Sequence, residues 1–158
     1  FTFALPVGVV PPAAEPEPPA EPRHEIRRVL LAEDAPDTQR LISVMLRKAG
    51  FQVTVANDGR DACAAAERAR EKGEPFDLIL MDVQMPELDG CAATEWLRAH
   101  GFHQPIVAVT AHSMESDRKR CLDAGCDDYL TKPLTPDKLI GLVRRRAREW
   151  SARAAAVN

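Results

Sequence analysis

The chain has 158 residues, 45% of them hydrophobic and 28% charged, with a formal net charge of −3. Those totals suit one domain of ordinary size plus extra chain, and they give no electrostatic case for binding nucleic acid or a membrane surface. No run approaches the ~18 apolar residues of a membrane span, and no charged leader with a cleavage site opens the chain, which starts without methionine and reads as cut from a longer protein.

Phe1, Phe3 and Leu5 alternate with Thr2 and Ala4, a strand pattern with no partner strands nearby. Residues 8–25 (GVVPPAAEPEPPAEPRHE) are rich in Pro, Ala and Glu and read as an extended, semi-rigid linker; seven of the chain's 13 prolines lie before residue 26. From there the texture changes, and residues 26–150 read as a domain. Strand-length apolar runs fall at 28–32 (RVLLA), 51–55 (FQVTV), 76–81 (FDLILM), 105–109 (PIVAV) and 127–130 (DDYL).

Helix-like segments separate the runs. The first places Ile42, Met45, Leu46 and Ala49 on one face, with Pro36 in its first turn and Gly50 at its stop. The second, about 59–72, is Ala-rich and ends at Gly73. The third, about 91–99, carries Ala93, Trp96 and Leu97 on one side. The fourth, about 113–124, is mostly polar, with Met114, Cys121 and Leu122 as its anchors. The last, about 136–149, has Thr135 as N-cap, Pro136 at its first position, and Leu139, Leu142 and Val143 as its buried stripe. Residues 151–158 read as a fraying tail.

Strands alternating with helices imply βαβ units and a parallel sheet covered on both faces. Nearly continuous apolar strands such as LILM and IVAV fit that burial. The four cysteines (Cys63, Cys91, Cys121, Cys126) form no C-x-x-C pair and no zinc spacing with histidine; buried, reduced thiols are the default reading.

Polar residues stand at matching places. Glu33 and Asp34 follow the first strand, Asp82 follows the third, Thr110 ends the fourth and Lys132 follows the fifth. In a parallel sheet these are the carboxyl ends, on the edge where open α/β sheets place their ligand crevice. One such carboxylate is as readily an N-cap or a solvated loop residue; five residues at matching strand ends need a common purpose. Three carboxylates form a hard oxygen site suited to Mg²⁺, with Mn²⁺ as the alternative ion. A carboxylate can also attack phosphorus and form an acyl phosphate. Phosphoryl transfer is mostly positioning and charge stabilisation, which Mg²⁺, the Lys132 ammonium and the Thr110 hydroxyl would divide among the transferring oxygens.

LLAEDAPDTQR, LILMDVQMPELDG, VAVTAH and DDYLTKPL resemble the signature segments of the response-regulator receiver family, with matching spacing over about residues 27–149. The resemblance implies a flavodoxin-like three-layer α/β/α sandwich with strand order 2-1-3-4-5. It implies that Asp82 accepts phosphate from a phosphohistidine, that Glu33 and Asp34 bind Mg²⁺ with Asp82, and that the backbone carbonyl of Gln84 completes the protein ligands. Thr110 and Lys132 would touch the phosphoryl group, and Lys132–Pro133 would be a cis peptide. Output would run through the fourth strand, fourth helix and fifth strand, with Thr110 moving toward the phosphate and Tyr129 rotating inward behind it. Tyr129 also reads as a plain packed aromatic, and His112 as a solvated loop histidine. The basic run Arg144–Arg145–Arg146–Arg148 is by default a solvated face, or else a docking surface.

FTFALPV followed by the linker looks like the last strand of a histidine-kinase ATP-binding domain. The expected parent is therefore a hybrid sensor histidine kinase, of a kind that can be anchored in the inner membrane, with this receiver in the cytoplasm. Its partners would be a phosphohistidine on its own dimerisation domain and a histidine phosphotransfer protein, with no nucleic acid and no direct membrane contact. Eight residues after Trp150 leave no DNA-binding effector in this chain. A stand-alone response-regulator module and a phosphate-independent interaction domain are the other readings. A haloacid-dehalogenase-type phosphatase would need a second Asp where Gln84 stands, and a cap domain for which there is no length. A nucleotide-binding fold would need a Gly-rich loop where AEDAPD is acidic.

Overall fold

The computed structural model describes residues 28–112 and 114–157; the strand-like Phe1–Val7 and the Pro-rich segment lie outside them. The apolar runs become β1 (Arg28–Ala32), β2 (Gln52–Ala56), β3 (Leu78–Asp82), β4 (Ile106–Thr110) and β5 (Asp128–Thr131). Between and after them lie α1 (Pro36–Lys48), α2 (Gly59–Glu71), α3 (Gly90–Ala99), α4 (Glu115–Ala124) and α5 (Pro136–Val157). The strands pair in parallel in the order β2-β1-β3-β4-β5.

Alternation along each central strand divides the core between two faces. Val29, Leu31, Leu78, Leu80, Val107 and Val109 meet Ile42 and Leu46 of α1 and Leu139, Leu142 and Val143 of α5. Leu30, Ala32, Ile79, Met81, Ile106 and Ala108 face the other way, toward the alanines of α2, Leu97 of α3 and Cys121 of α4. Each fully buried Leu, Ile or Val side chain contributes about 1.5–3 kcal/mol relative to exposure, so β1, β3 and β4 form the rigid centre. β2 is one of the two edge strands, and its residues alternate between exposed and partly covered until Ala56. The chain leaves β1 toward β2 on one side and runs from β3 to β5 on the other. The loops after β1 and β3 therefore part at the carboxyl edge, and a crevice opens there.

Two expectations change. α5 continues to Val157, so the segment read as a tail is helical; its SARAAAV sequence has the high helix propensity of alanine and arginine. α4 is held more weakly than its sequence implies. Met114 and Leu122, taken as anchors, are 64% and 42% exposed, and only Cys121 and Ala124 of the helix are buried. Met114 sits at the N-cap, ahead of the first turn, and Leu122 lies about 100° around the helix from Cys121.

Candidate functional site

The site is assembled by strand ends. The backbone amide of Glu33 donates to the carbonyl of Ala56 at 3.0 Å, which extends the β1–β2 pairing one residue past β1 and fixes where Glu33 and Asp34 emerge. Asp82 is the last residue of β3, paired in register with Val109. Thr110 closes β4 opposite Thr131, and its carbonyl accepts the backbone N–H of Lys132 at 2.7 Å. The Lys132–Pro133 peptide bond is cis.

These positions bring the side chains together. Glu33, Asp34 and Asp82 each offer a carboxylate oxygen, and the three oxygens lie within 4.8 Å of one another. Glu33 and Asp82 are only 1% and 4% exposed, whereas Asp34 faces solvent. The Lys132 ammonium donates to Glu33 Oε2 at 2.9 Å and to Asp82 Oδ2 at 3.2 Å. The remaining oxygens of those two carboxylates receive backbone amides, Ala35 N–H on Glu33 Oε1 and Gln84 N–H on Asp82 Oδ1, each at 3.0 Å. Partial burial works to lower the Lys132 pKa, but the hydrogen bond to Glu33 and the charge of Asp82 outweigh it. The net shift is above the ordinary 10.5, so the lysine is cationic at neutral pH. Three carboxylates facing one ammonium leave the crevice with excess negative charge and oxygen donors, the donor set that Mg²⁺ takes.

Thr110 is buried, and its Oγ1 accepts the backbone N–H of His112 at 3.1 Å. Tyr129 is partly buried against the α2–α3 side of the core. Its hydroxyl accepts from Thr131 Oγ1 at 3.3 Å, and the Arg118 guanidinium of α4 lies 5.9 Å from its ring centre.

The loop after β3 is fixed by close backbone approaches. A Cβ on Gly90 would stand 2.1 Å from the backbone oxygen of Asp82, and one on Gly59 would stand 2.1 Å from that of Leu88. Gly90 N–H donates to the carbonyl of Val83 at 3.1 Å, and Gly59 N–H to that of Leu88 at 3.1 Å. Glu87, between them, takes a φ of 68° in the left-handed region. Asp89 caps α3 through the amide of Ala92 at 2.8 Å, and its other oxygen pairs with Arg120 of α4 at 2.8 Å.

Sequence reasoning missed the residues that hold the first loop. Gln39, in the first turn of α1, donates to the carbonyl of Glu33 and to Asn57 Oδ1, the latter at 3.0 Å. One amide thereby ties the loops after β1 and β2 together, and no spacing in the sequence links positions 39 and 57. His112, read as a solvated loop residue, is exposed, but its Nδ1 lies 3.1 Å from the Gln84 side-chain amide at the mouth of the site. The arginine run is not part of the site. Arg145 and Arg146 pair with Asp128 at 2.7 and 3.0 Å, which ties α5 to the start of β5.

Comparison with known proteins agrees with this architecture. The model of the response regulator receiver domain family matches residues 29–144. The chain belongs to that family. It is 43% identical over 121 residues to the hybrid signal transduction histidine kinase I of Dictyostelium discoideum, a match that covers 74% of this chain and 7% of the relative. To the sensor histidine kinase GacS of Pseudomonas protegens it is 39% identical over 140 residues, covering 85% of this chain and 15% of the relative. The receiver thus spans less than a sixth of the length of these two relatives. Among solved structures, the receiver domain of a Pseudomonas aeruginosa sensor histidine kinase, with a magnesium ion coordinated in its active-site cleft, superposes with a TM-score of 0.70 at 42% identity. That match covers 77% of this chain and 98% of the other. This chain is a receiver of the two-component phosphorelay type, homologous to the receivers of hybrid histidine kinases. Among the described residues no helix is long and apolar enough to cross a membrane.

Proposed function

We propose that Asp82 accepts a phosphoryl group from a phosphohistidine in a Mg²⁺-dependent step. The observation that carries the reading is the convergence of Glu33, Asp34 and Asp82 on one another, with Lys132 bound to two of them. An Asp82 carboxylate oxygen forms the new bond to phosphorus as the P–N bond breaks, and the electron pair returns to the imidazole. Glu33, Asp34, Asp82 and the backbone carbonyl of Gln84 would hold the ion. Bound there, Mg²⁺ or Mn²⁺ neutralises charge on the phosphoryl oxygens. Lys132, freed from Asp82 by the transfer, remains beside Glu33 and turns its ammonium to a phosphoryl oxygen. Thr110 gives up its bond to the His112 amide and offers its hydroxyl to another. Tyr129 moves inward behind it, and the weakly anchored α4 shifts with them.

The parent protein in this reading is a hybrid sensor histidine kinase. Residues 1–7 are the remnant of its ATP-binding domain, 8–25 a linker, 26–150 the receiver and 151–158 a tail, which α5 enters as far as Val157. The donors and acceptors are the kinase's own phosphohistidine and a histidine phosphotransfer protein, in the cytoplasm. The likeness to the Dictyostelium and Pseudomonas kinases supports this assignment.

The test is incubation of the chain with Mg²⁺ and acetyl phosphate, followed by intact mass, with beryllofluoride as a non-covalent mimic followed by NMR. The wild type gains one phosphoryl group and shifts resonances from residue 82 through 132. Asp82→Asn does neither. An unmodified wild type, or an equal response in Asp82→Asn, sinks the proposal.

A further inference from the structure

Outside the acidic crevice, the structure places two thiols in contact. Cys91 lies in the first turn of α3 and Cys121 in the α4 segment that packs against it, with their Sγ atoms 3.9 Å apart. Both are buried, at 3% and 0% exposure, and both are free. The other two cysteines face different partners: Cys126 meets Thr94 Oγ1 at 3.7 Å, and Cys63 donates to the carbonyl of Ala93 at 3.7 Å. A disulfide has an S–S distance of about 2.05 Å, so the pair must close by roughly 1.9 Å.

α4 is the element able to supply that movement. Of its residues only Cys121 and Ala124 are buried. Its ion pair to the site loop, Arg120 to Asp89, is 58% and 36% exposed, so it holds the helix only weakly. α3 is fixed by contrast, with Ala93, Thr94 and Leu97 fully buried and Thr94 Oγ1 bonded to the carbonyl of Gly90 at 2.7 Å.

We propose that Cys91 and Cys121 are a redox-sensitive thiol pair whose oxidation to a disulfide ties α4 to α3. With hydrogen peroxide as oxidant, the thiolate sulfur of one cysteine attacks a peroxide oxygen and the O–O bond breaks. The leaving hydroxide takes up the thiol proton as water, and a sulfenic acid remains. The second sulfur attacks the sulfenic sulfur, the S–O bond breaks and a second water leaves. The balance is two thiols and one peroxide to one disulfide and two waters. Burial pushes the Cys91 thiol up to about 12 and raises that of Cys121, so the packed helix protects both. Outward movement of α4 uncovers them, and the rate of oxidation reports how often the helix opens.

The experiment treats the full chain with hydrogen peroxide, blocks remaining thiols with N-ethylmaleimide and maps peptides without reduction. The expected result is loss of two of the four alkylatable thiols, a Cys91–Cys121 linkage reversed by dithiothreitol, and slower hydrogen exchange in residues 115–124. Cys121→Ser abolishes the linkage and Cys63→Ser retains it; Cys91→Ala replaces the former if circular dichroism shows it unfolded. Four thiols still alkylatable, a linkage through Cys63 or Cys126, a linkage between chains, or unchanged exchange in α4 after oxidation overturns the proposal. Asp82→Asn oxidises like the wild type, so this test stands apart from the acceptor reading.

Discussion

Replacing Lys132 by methionine keeps the length of the side chain and removes its charge. In the wild type that charge sits 2.9 Å from Glu33 and 3.2 Å from Asp82, whose side chains are 1% and 5% exposed. At an effective dielectric of 20, each contact is a gross attraction of about 5 kcal/mol. Desolvation of the three groups offsets most of it, and removing one partner of a buried pair costs about 3–5 kcal/mol in measured cases. The lysine side chain is 24% exposed, so the expected loss lies at the low end, about 3 kcal/mol in metal-free buffer at pH 7. That corresponds to a fall in Tm of about 10 °C for a domain of this size. Urea unfolding followed by far-UV circular dichroism measures it. Mg²⁺ then replaces the missing positive charge: at about 100 times its Kd a ligand of the native state adds about 2.7 kcal/mol. With two carboxylates freed, the variant gains more from Mg²⁺ than the wild type does, and the gap narrows. Adding Asp82→Asn to the variant also recovers stability, because it removes one of the uncompensated charges. A loss below about 1 kcal/mol in metal-free buffer, against the expected value of about 3 kcal/mol, or a gap that Mg²⁺ leaves unchanged, would refute the view that Lys132 neutralises this carboxylate cluster.

Three further outcomes follow from the same geometry. The Lys132 pKa is raised above 10.5, so its contribution is complete at neutral pH and is lost as pH rises from 10.5 through the folded value; alkaline urea titrations show this in the wild type and not in Lys132→Met. Gly90→Ala drives a Cβ against the backbone oxygen of Asp82, which no rotamer relieves, and costs about 3 kcal/mol, the upper end of the usual overpacking range; the same urea assay reads the cost, and mass spectrometry shows slower phosphorylation by acetyl phosphate. Thr110→Ala leaves the His112 amide without its acceptor at a cost of about 1 kcal/mol. It still takes up phosphate at Asp82, but the NMR shifts at Tyr129 and α4 induced by beryllofluoride shrink.

Much of the fold was legible because the buried parallel sheet leaves a direct signature. LILM and IVAV have no polar side to offer solvent, and both are wholly covered strands. Helix stops were legible for a local reason too: Gly50 follows the C-cap of α1 with a φ of 98°, a conformation its sequence position advertises. The extent of α5 was less so, because an Ala- and Arg-rich segment without apolar periodicity reads as fraying although its helix propensity is high.

The candidate site was legible from the sheet topology. Parallel strands put successive carboxyl ends on one edge, so Glu33, Asp34, Asp82 and Lys132 need only follow their strands to converge, and Thr110 ends the neighbouring strand β4. What stayed hidden depends on side-chain direction across loops. Gln39 reaching Asn57, and His112 reaching Gln84, are pairs that no period of 2 or 3.6 relates. The weakness of α4 was half visible. Its polar sequence announced a helix with little to bury, but Met114 and Leu122 were counted as anchors that the structure leaves in solvent. That difference matters for mechanism. Leu122 in the core would have fixed α4 to the sheet, whereas attachment through Cys121 and Ala124 leaves it held by two small side chains and an exposed ion pair to Asp89. Asp89 itself caps α3 seven residues after the proposed acceptor Asp82. The loop that follows Asp82 and the weakly held helix α4 are therefore joined at one carboxylate.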